Sequence, residues 1–251
     1  MSMIMAARSR SRTALNAVAK LFGVRVVNAR WGPRGFRASL QKTQAQGFSP
    51  ATVIDVGASN GQWTHECRQI FPAARYLLVD PLEENRPILD RLARSDSRIE
   101  VWHGALGAVA GQLQLWAHGD QSSFLRSSDF PGQERAVQLR TLDSFIETHS
   151  LQGPVLLKAD VQGYELEVLK GASRCLDLCE VLLIEVSFRR LYDGSPLAHD
   201  IVGYLGSKGF RVYDICSFVQ RPADNELVQC DIVFAREGGR LFAYEGWGRS
   251  P

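Results

Sequence analysis

From about residue 50 the chain alternates short apolar runs with amphipathic stretches. Thr52–Val56 reads as a buried strand ended by Gly57, Gln62–Ile70 as a helix closed by Pro72, and Arg75–Val79 as a second strand. Glu83–Arg94 carries Ile88, Leu89 and Leu92 on one helical face, and Arg98–His103 is a third strand. Within Leu106–His118, residues Leu113, Leu115 and Ala117 alternate after Gly111, which is the pattern of a hairpin. Thr141–His149 is helical. The second half repeats the rhythm: strand Val155–Ala159, helix Tyr164–Lys170 stopped by Gly171, strand Glu180–Val186, and helix Pro196–Ser207 ended by Gly209. Strands Phe210–Ile215 and Gln229–Ala235 follow, separated by a polar, turn-rich stretch that permits antiparallel pairing. Near-continuous apolar strands alternating with helices predict an α/β fold, its mostly parallel sheet covered on both faces. One such domain, residues 50–237, is expected between an N-terminal extension, 1–49, and a C-terminal tail, 238–251.

Composition changes this picture at one end only. The 251 residues are 45% hydrophobic and 22% charged, which suits a globular chain and argues against wholesale disorder. No apolar run approaches the roughly 18 residues of a membrane span. The five cysteines (Cys67, Cys175, Cys179, Cys216, Cys230) are odd in number and form no C-x-x-C, as expected of reduced, buried thiols in a cytoplasmic protein. Charge, however, is uneven. Residues 1–54 hold no acid and carry +9, leaving −7 for the remainder. Such a basic lead predicts contact with something anionic: a membrane surface, nucleic acid, or the acidic face of another protein. No apolar segment follows the arginines, so a secretory signal is not expected, whereas an organelle transit peptide shares this Arg- and Ser-rich composition. Leu15, Val18 and Phe22 fall at helical spacing, suited to docking on the domain or to lying on a membrane.

Three segments bear chemistry. The first, Asp55-Val-Gly57-Ala58-Ser-Asn60-Gly61, joins the first strand to the first helix, where open α/β sheets cradle ligands. Its spacing is G-x-x-x-G with no following Lys-Ser/Thr, which excludes a P-loop. A carboxylate at Asp55 would repel a pyrophosphate and suit a cofactor bearing ammonium and sulfonium charges. A plain tight turn is the bland alternative. The second is Asp80-Pro81, after the second strand. Asp80 lies 19 residues beyond Gly61, close to the roughly 20 expected of an acid that grips ribose hydroxyls. Helix capping would explain the same residue. The third runs Leu156-Leu-Lys-Ala-Asp160-Val-Gln162-Gly163-Tyr-Glu165-Leu-Glu167, with Asp160 ending the fourth strand beside the strand-order switch. Glu167, in a helix's first turn, needs no role beyond the helix dipole.

In this order VIDVGASNGQWT, YLLVDPLEEN, HGALGAVAG, RTLDSFI and above all LLKADVQGYELEVLKGA resemble the FkbM family of S-adenosylmethionine-dependent methyltransferases. The resemblance runs from about Thr52 to Ala235. It implies a seven-stranded Rossmann-like sheet of the class I type with a final antiparallel strand, and methyl transfer to a hydroxyl of a sugar, glycan, lipid-linked or natural-product acceptor. It places Asp55, Gly57, Ala58, Asn60 and Gly61 in the cofactor loop, Asp80 and Pro81 at the ribose, and Gly104, Ala105 and Leu106, after His103, near the adenine. Asp160 matches the acid after the fourth strand. Two departures are mild: Asp80 stands where the family often has Glu, and Ala159 where it often has Ile.

Methyl transfer to an alcohol calls for a group that takes the hydroxyl proton. Asp160 is the first candidate, with Glu185 in the apolar VLLIEVSF strand and His103 behind it. Ser122 and Ser123, in a polar loop where such folds place lids, and Gln162 and Glu165 are assigned to the acceptor side; turn chemistry explains the serines equally well. The five histidines show no ligand spacing, so no metal is expected. An NAD-dependent oxidoreductase is the rival enzyme class, opposed by the missing G-x-G-x-x-G. A binding protein that kept the fold without turnover is the rival outside catalysis. Nucleic acid is not expected as a partner, because no N-P-P-Y-like segment is present and the aromatics do not interleave with the arginines.

Overall fold

The computed structural model describes residues 35–149, 151–244 and 246. The basic residues before Arg37, the Leu15, Val18 and Phe22 spacing, and most of the tail after 244 lie outside them. Contacts divide the chain at Pro33, and the fold below is that of the body beginning at Arg34.

Seven strands form the main sheet: β1 (Thr52–Val56), β2 (Arg75–Val79), β3 (Ile99–Trp102), β7 (Val155–Ala159), β8 (Cys179–Ser187), β9 (Phe210–Gln220) and β10 (Leu227–Arg236). Their order is β3-β2-β1-β7-β8-β10-β9, and β10 alone runs antiparallel to both its neighbours. This is the Rossmann-like arrangement expected. Every residue of β1 and β7 is buried, as strands covered on both faces must be. Alternation decides which face each side chain meets. Ile54, Val56, Leu157 and Ile184 pack under α4 (Asp143–His149), α5 (Glu165–Lys170), α6 (Ser173–Leu178) and α7 (Ala198–Ser207). Val53, Leu156, Leu183 and Val233 pack under α1 (Phe36–Ala45), α2 (Gln62–Ile70) and α3 (Arg86–Ser95). Among the described residues no helix is long and apolar enough to cross a membrane.

The structure departs from the pattern-based expectations in four places. The segment after Leu106 does not fold back on itself. Instead β5 (Gly111–Ala117) pairs antiparallel with β6 (Gln133–Arg140), and β6 pairs in parallel with β4 (Ala105–Leu106) to form a second, three-stranded sheet. Only Val137 and Leu139 of β6 are buried, so its polar sequence hides it. Helix α1 falls within the expected extension, yet Leu40 and the following Phe48 are fully buried in the main core. The folded body thus begins before residue 50. At the other end Leu241 is buried too, and Arg240 pairs with Glu180 at 2.7 Å, so part of residues 238–251 packs on the body. Helix α3 starts three residues later than its periodicity suggests, because Leu82–Asn85 is a turn held by Asp80.

Candidate active site

The chain reverses its course across the sheet between β1 and β7, and the carboxyl ends of these strands form the crevice where open α/β sheets bind ligands. Gly57 sits at φ +77°, and a Cβ there would lie 1.9 Å from the Asp160 carbonyl oxygen. Only glycine lets the two turns touch. Beneath them Lys158 crosses from β7 to β1. Its Nζ donates to the Gly57 carbonyl at 2.8 Å and stands 3.1 Å from Asp55 Oδ1 and 3.7 Å from Asp160 Oδ2. Burial alone would lower the Lys158 ammonium, but Asp55 and Asp160 more than offset it and hold it above the ordinary lysine range.

Asp55 itself is fully buried, and its Oδ2 accepts the Thr64 hydroxyl at 2.6 Å. Burial pushes its carboxyl up, and Lys158 and Thr64 pull it back. Asp55, expected to meet a cofactor's cations, does not line the cavity: the register sets it opposite Lys158, which pairs with it. Asp55 seats Lys158 under the loop instead.

Above the strand ends lies a cavity of about 380 Å³. Gly57, Ala58, Asn60, Asp80, Pro81, Gly104, Ala105 and Leu106 line it, as do Asp160, Gln162 and Ser122. Asp80, almost wholly buried, joins two turns: Oδ2 accepts Ser59 N–H at 2.8 Å, and Oδ1 accepts Leu82 N–H at 3.0 Å and the Asn85 amide at 2.9 Å. Burial raises its carboxyl, and these donors pull it down. Asn85 occupies the cap position of α3, so Asp80 is not that helix's cap. A carboxylate oxygen has two lone pairs, so Oδ2 keeps one for a hydroxyl.

Six expected site residues do not line the cavity. Besides Asp55, Gly61 serves packing: at φ +75° a Cβ would press to 2.5 Å from Leu92 Cδ1 of α3. His103 Nε2 is engaged by Asp90 at 2.7 Å. Ser123 donates to the Gln162 carbonyl at 2.7 Å; Ser122, which does line the cavity, makes a turn, donating to the Gly119 carbonyl at 2.6 Å. Glu165 Oε1 accepts the N–H groups of Val161 and Gly163 at 2.9 and 3.2 Å, pinning the turn after β7, and burial pushes its carboxyl up to about 7. Glu185 Oε2 accepts amide hydrogens from Gln162 at 3.2 Å and Gln229 at 2.8 Å. Burial, then the neighbouring Asp160, Glu165 and Asp231 carboxylates, push Glu185 well above the usual carboxylate range. Glu185 does not line the cavity and its Oε2 is taken up by two amides, so the geometry favours Asp160 over Glu185 as the base.

The structure also adds residues. Lys158 was legible in principle, as a lone lysine in an apolar strand. Trp63 and Phe36 line one side of the cavity, their ring centroids 5.9 Å apart and tilted by 35°. Asp120 reaches over from the loop between β5 and β6, and its Oδ1 accepts the Ser59 hydroxyl at 2.8 Å.

A glycine turn that admits close backbone approach, a strand-end carboxylate with a spare lone pair, and apolar Leu82, Leu106 and Leu115 for a flat ring fit an adenosyl group. Fold and site together define a class I methyltransferase with S-adenosylmethionine as cofactor. The Methyltransferase FkbM domain profile matches residues 55–212, and the chain belongs to that family. The oxidoreductase alternative falls with it. Among solved structures the chain is similar to an FkbM methyltransferase from Methylobacillus flagellatus KT, at 21% identity and TM-score 0.49. The match covers 74% of this chain and 44% of that one, so the chain spans less than half its length. It is also similar to a precorrin-6y C5,15-methyltransferase from Geobacter metallireducens GS-15 (10% identity, TM-score 0.43, 80% and 87% covered). Sp1610 of Streptococcus pneumoniae, determined in complex with S-adenosyl-L-methionine, is a third (12% identity, TM-score 0.44, 80% and 72% covered). No curated protein matches the chain.

Proposed function

We propose that the chain methylates a hydroxyl of a sugar or natural-product acceptor, with Asp160 as the general base. When bound, S-adenosylmethionine supplies an electrophilic methyl group on a sulfonium. An alcohol is a weak nucleophile and sheds its proton during attack, so a carboxylate within hydrogen-bond reach is required. Among the described residues four carboxylates line the cavity: Glu66, Asp80, Asp120 and Asp160. Asp160 alone ends a strand at the switch point; the other three stand apart from it. Asp80 ties two turns together, Asp120 bonds Ser59 at the exposed rim, and Glu66 faces Gln62 on the outer turn of α2 at 3.5 Å.

Asp160 joins an anchored oxygen to a place at the strand switch, and this combination carries the reading. Its Oδ1 is anchored by the Gln162 amide at 3.0 Å, while its side chain remains 36% exposed at the strand switch, with Oδ2 unbonded except for the ammonium 3.7 Å away. One oxygen fixed and one open is what aligning an acceptor requires. The Phe36 and Trp63 rings offer an apolar wall to the carbon face of a sugar ring. The test uses the full chain with methyl-tritiated S-adenosylmethionine and a panel of neutral saccharides, glycolipids and polyketide alcohols. Label on oxygen, identified by the methoxy resonance of the product, is expected. Methylation of nitrogen or carbon, or of RNA alone, would sink the proposal. Cofactor binding without turnover on any acceptor would favour the binding-protein alternative.

A further inference from the structure

We propose that Gln162 is a positioning residue that aims Asp160 at the acceptor and ties it to the loop covering the cavity. The proposal rests on Asp160 being the base. Gln162 is a non-glycine residue at φ +53°, in the left-handed region, and it is 8% exposed. Such a conformation persists where the surroundings over-determine it, and it clusters at functional sites. Here every polar atom of the side chain is used. Nε2 donates one hydrogen to Asp160 Oδ1 at 3.0 Å and the other to Glu185 Oε2 at 3.2 Å. Oε1 accepts the Tyr192 hydroxyl at 3.0 Å, and the Gln162 carbonyl accepts the Ser123 hydroxyl at 2.7 Å. Tyr192 also stands 2.9 Å from the Gln121 side-chain amide, and both Gln121 and Ser123 belong to the loop between β5 and β6.

The chemistry of the position is specific. Two carboxyl groups face one small space, so the group between them must offer two donors and no negative charge. A primary amide does so, and its oxygen is left for Tyr192, which fixes the amide's orientation. Lys158 competes for the same carboxylate from the other side, 3.7 Å from Asp160 Oδ2. Without the amide, the Asp160 carboxylate is free to turn onto Lys158 and withdraw from the acceptor. Gln162 therefore holds the base away from its own counter-ion.

The test compares wild type with Gln162→Met, which keeps length and loses both donors. Calorimetry with S-adenosylhomocysteine should give a dissociation constant within about twofold of wild type, because Gln162 bonds no cofactor-loop residue. Turnover at saturating cofactor, on the acceptor that takes the label, should fall by about 10²-fold, the cost of misplacing a reacting group. Unchanged turnover in Gln162→Met, where Asp160→Asn abolishes it, overturns the proposal. Side-chain amide NMR serves as an arm independent of any acceptor. The Gln162 pair, assigned by through-bond correlation to the Gln162 backbone in wild type, should be slow to exchange; Asp160→Asn should shift one hydrogen and Glu185→Gln the other. A freely exchanging pair overturns the proposal even if Gln162→Met does not fold. Full turnover in Asp160→Asn would instead remove the base assignment, which separates that failure from this one.

Discussion

Replacing Lys158 with Met tests the strut beneath the cavity. The methylene stem is nearly preserved, so packing changes little, but three oxygens lose their partner. Asp55, wholly buried, keeps only the Thr64 hydroxyl. Stranding one member of a buried ion pair costs about 3–5 kcal/mol. The orphaned Gly57 carbonyl adds about 1–3 kcal/mol. Adding Asp55→Asn removes the first cost and leaves the second. The double variant should therefore be more stable than Lys158→Met alone, with a coupling of about 3 kcal/mol. Burial already pushes the Asp55 carboxyl up, and without Lys158 it rises further, so the single variant's deficit shrinks as pH falls and acid protonates Asp55. Urea unfolding of all four proteins at pH 5 and pH 8 gives the cycle. Strict additivity, or a deficit independent of pH, would refute the ion-pair account.

Two further outcomes follow from the geometry of the site, and a third from the charge of the sequence. Asp80→Ala should weaken S-adenosylhomocysteine binding by about 1–3 kcal/mol in calorimetry; an unchanged constant would leave Asp80 as only a tie between turns. Glu165→Gln keeps the Oε1 acceptor for both backbone donors and removes a group whose folded value, about 7, lies above its ordinary 4.5. A raised acid contributes stability that is fully present below 4.5 and lost as pH rises through 7. Wild type should thus lose on the order of 3 kcal/mol more than the variant across that window in urea unfolding, and parallel pH profiles would contradict it. Deleting residues 1–34 should abolish sedimentation with anionic vesicles, which in the full chain weakens with salt because each basic residue contributes about 1 kcal/mol; sedimentation by the truncated chain would refute a basic membrane arm.

The centre of the main sheet was legible because β1 and β7 are buried on both faces and read as nearly unbroken apolar runs. The second sheet was not, because β6 buries only Val137 and Leu139 and its other positions read as a charged loop. In the site, glycines and strand-end acids announce themselves, and Gly57, Asp80 and Asp160 line the cavity. Asp55 shares their signature but not their place. Its partner Lys158 lies far along the chain and becomes a neighbour only through the β1–β7 register, which no local pattern encodes. Glu165 and Glu185 belong to the same class: charged residues whose partners, brought near only by the fold, turn them to holding backbone and amide groups. Phe36 and Asp120 carry no motif, and tertiary packing alone brings them to the cavity.

The most direct test of the central claim is one variant measured two ways. Asp160→Asn keeps the shape of the side chain and removes the base. S-adenosylhomocysteine should bind it nearly as it binds wild type, while turnover at saturating cofactor falls by roughly 10²–10⁴. Near-normal turnover with weakened binding would contradict the account, and would place Asp160 at the cofactor rather than at the reacting hydroxyl.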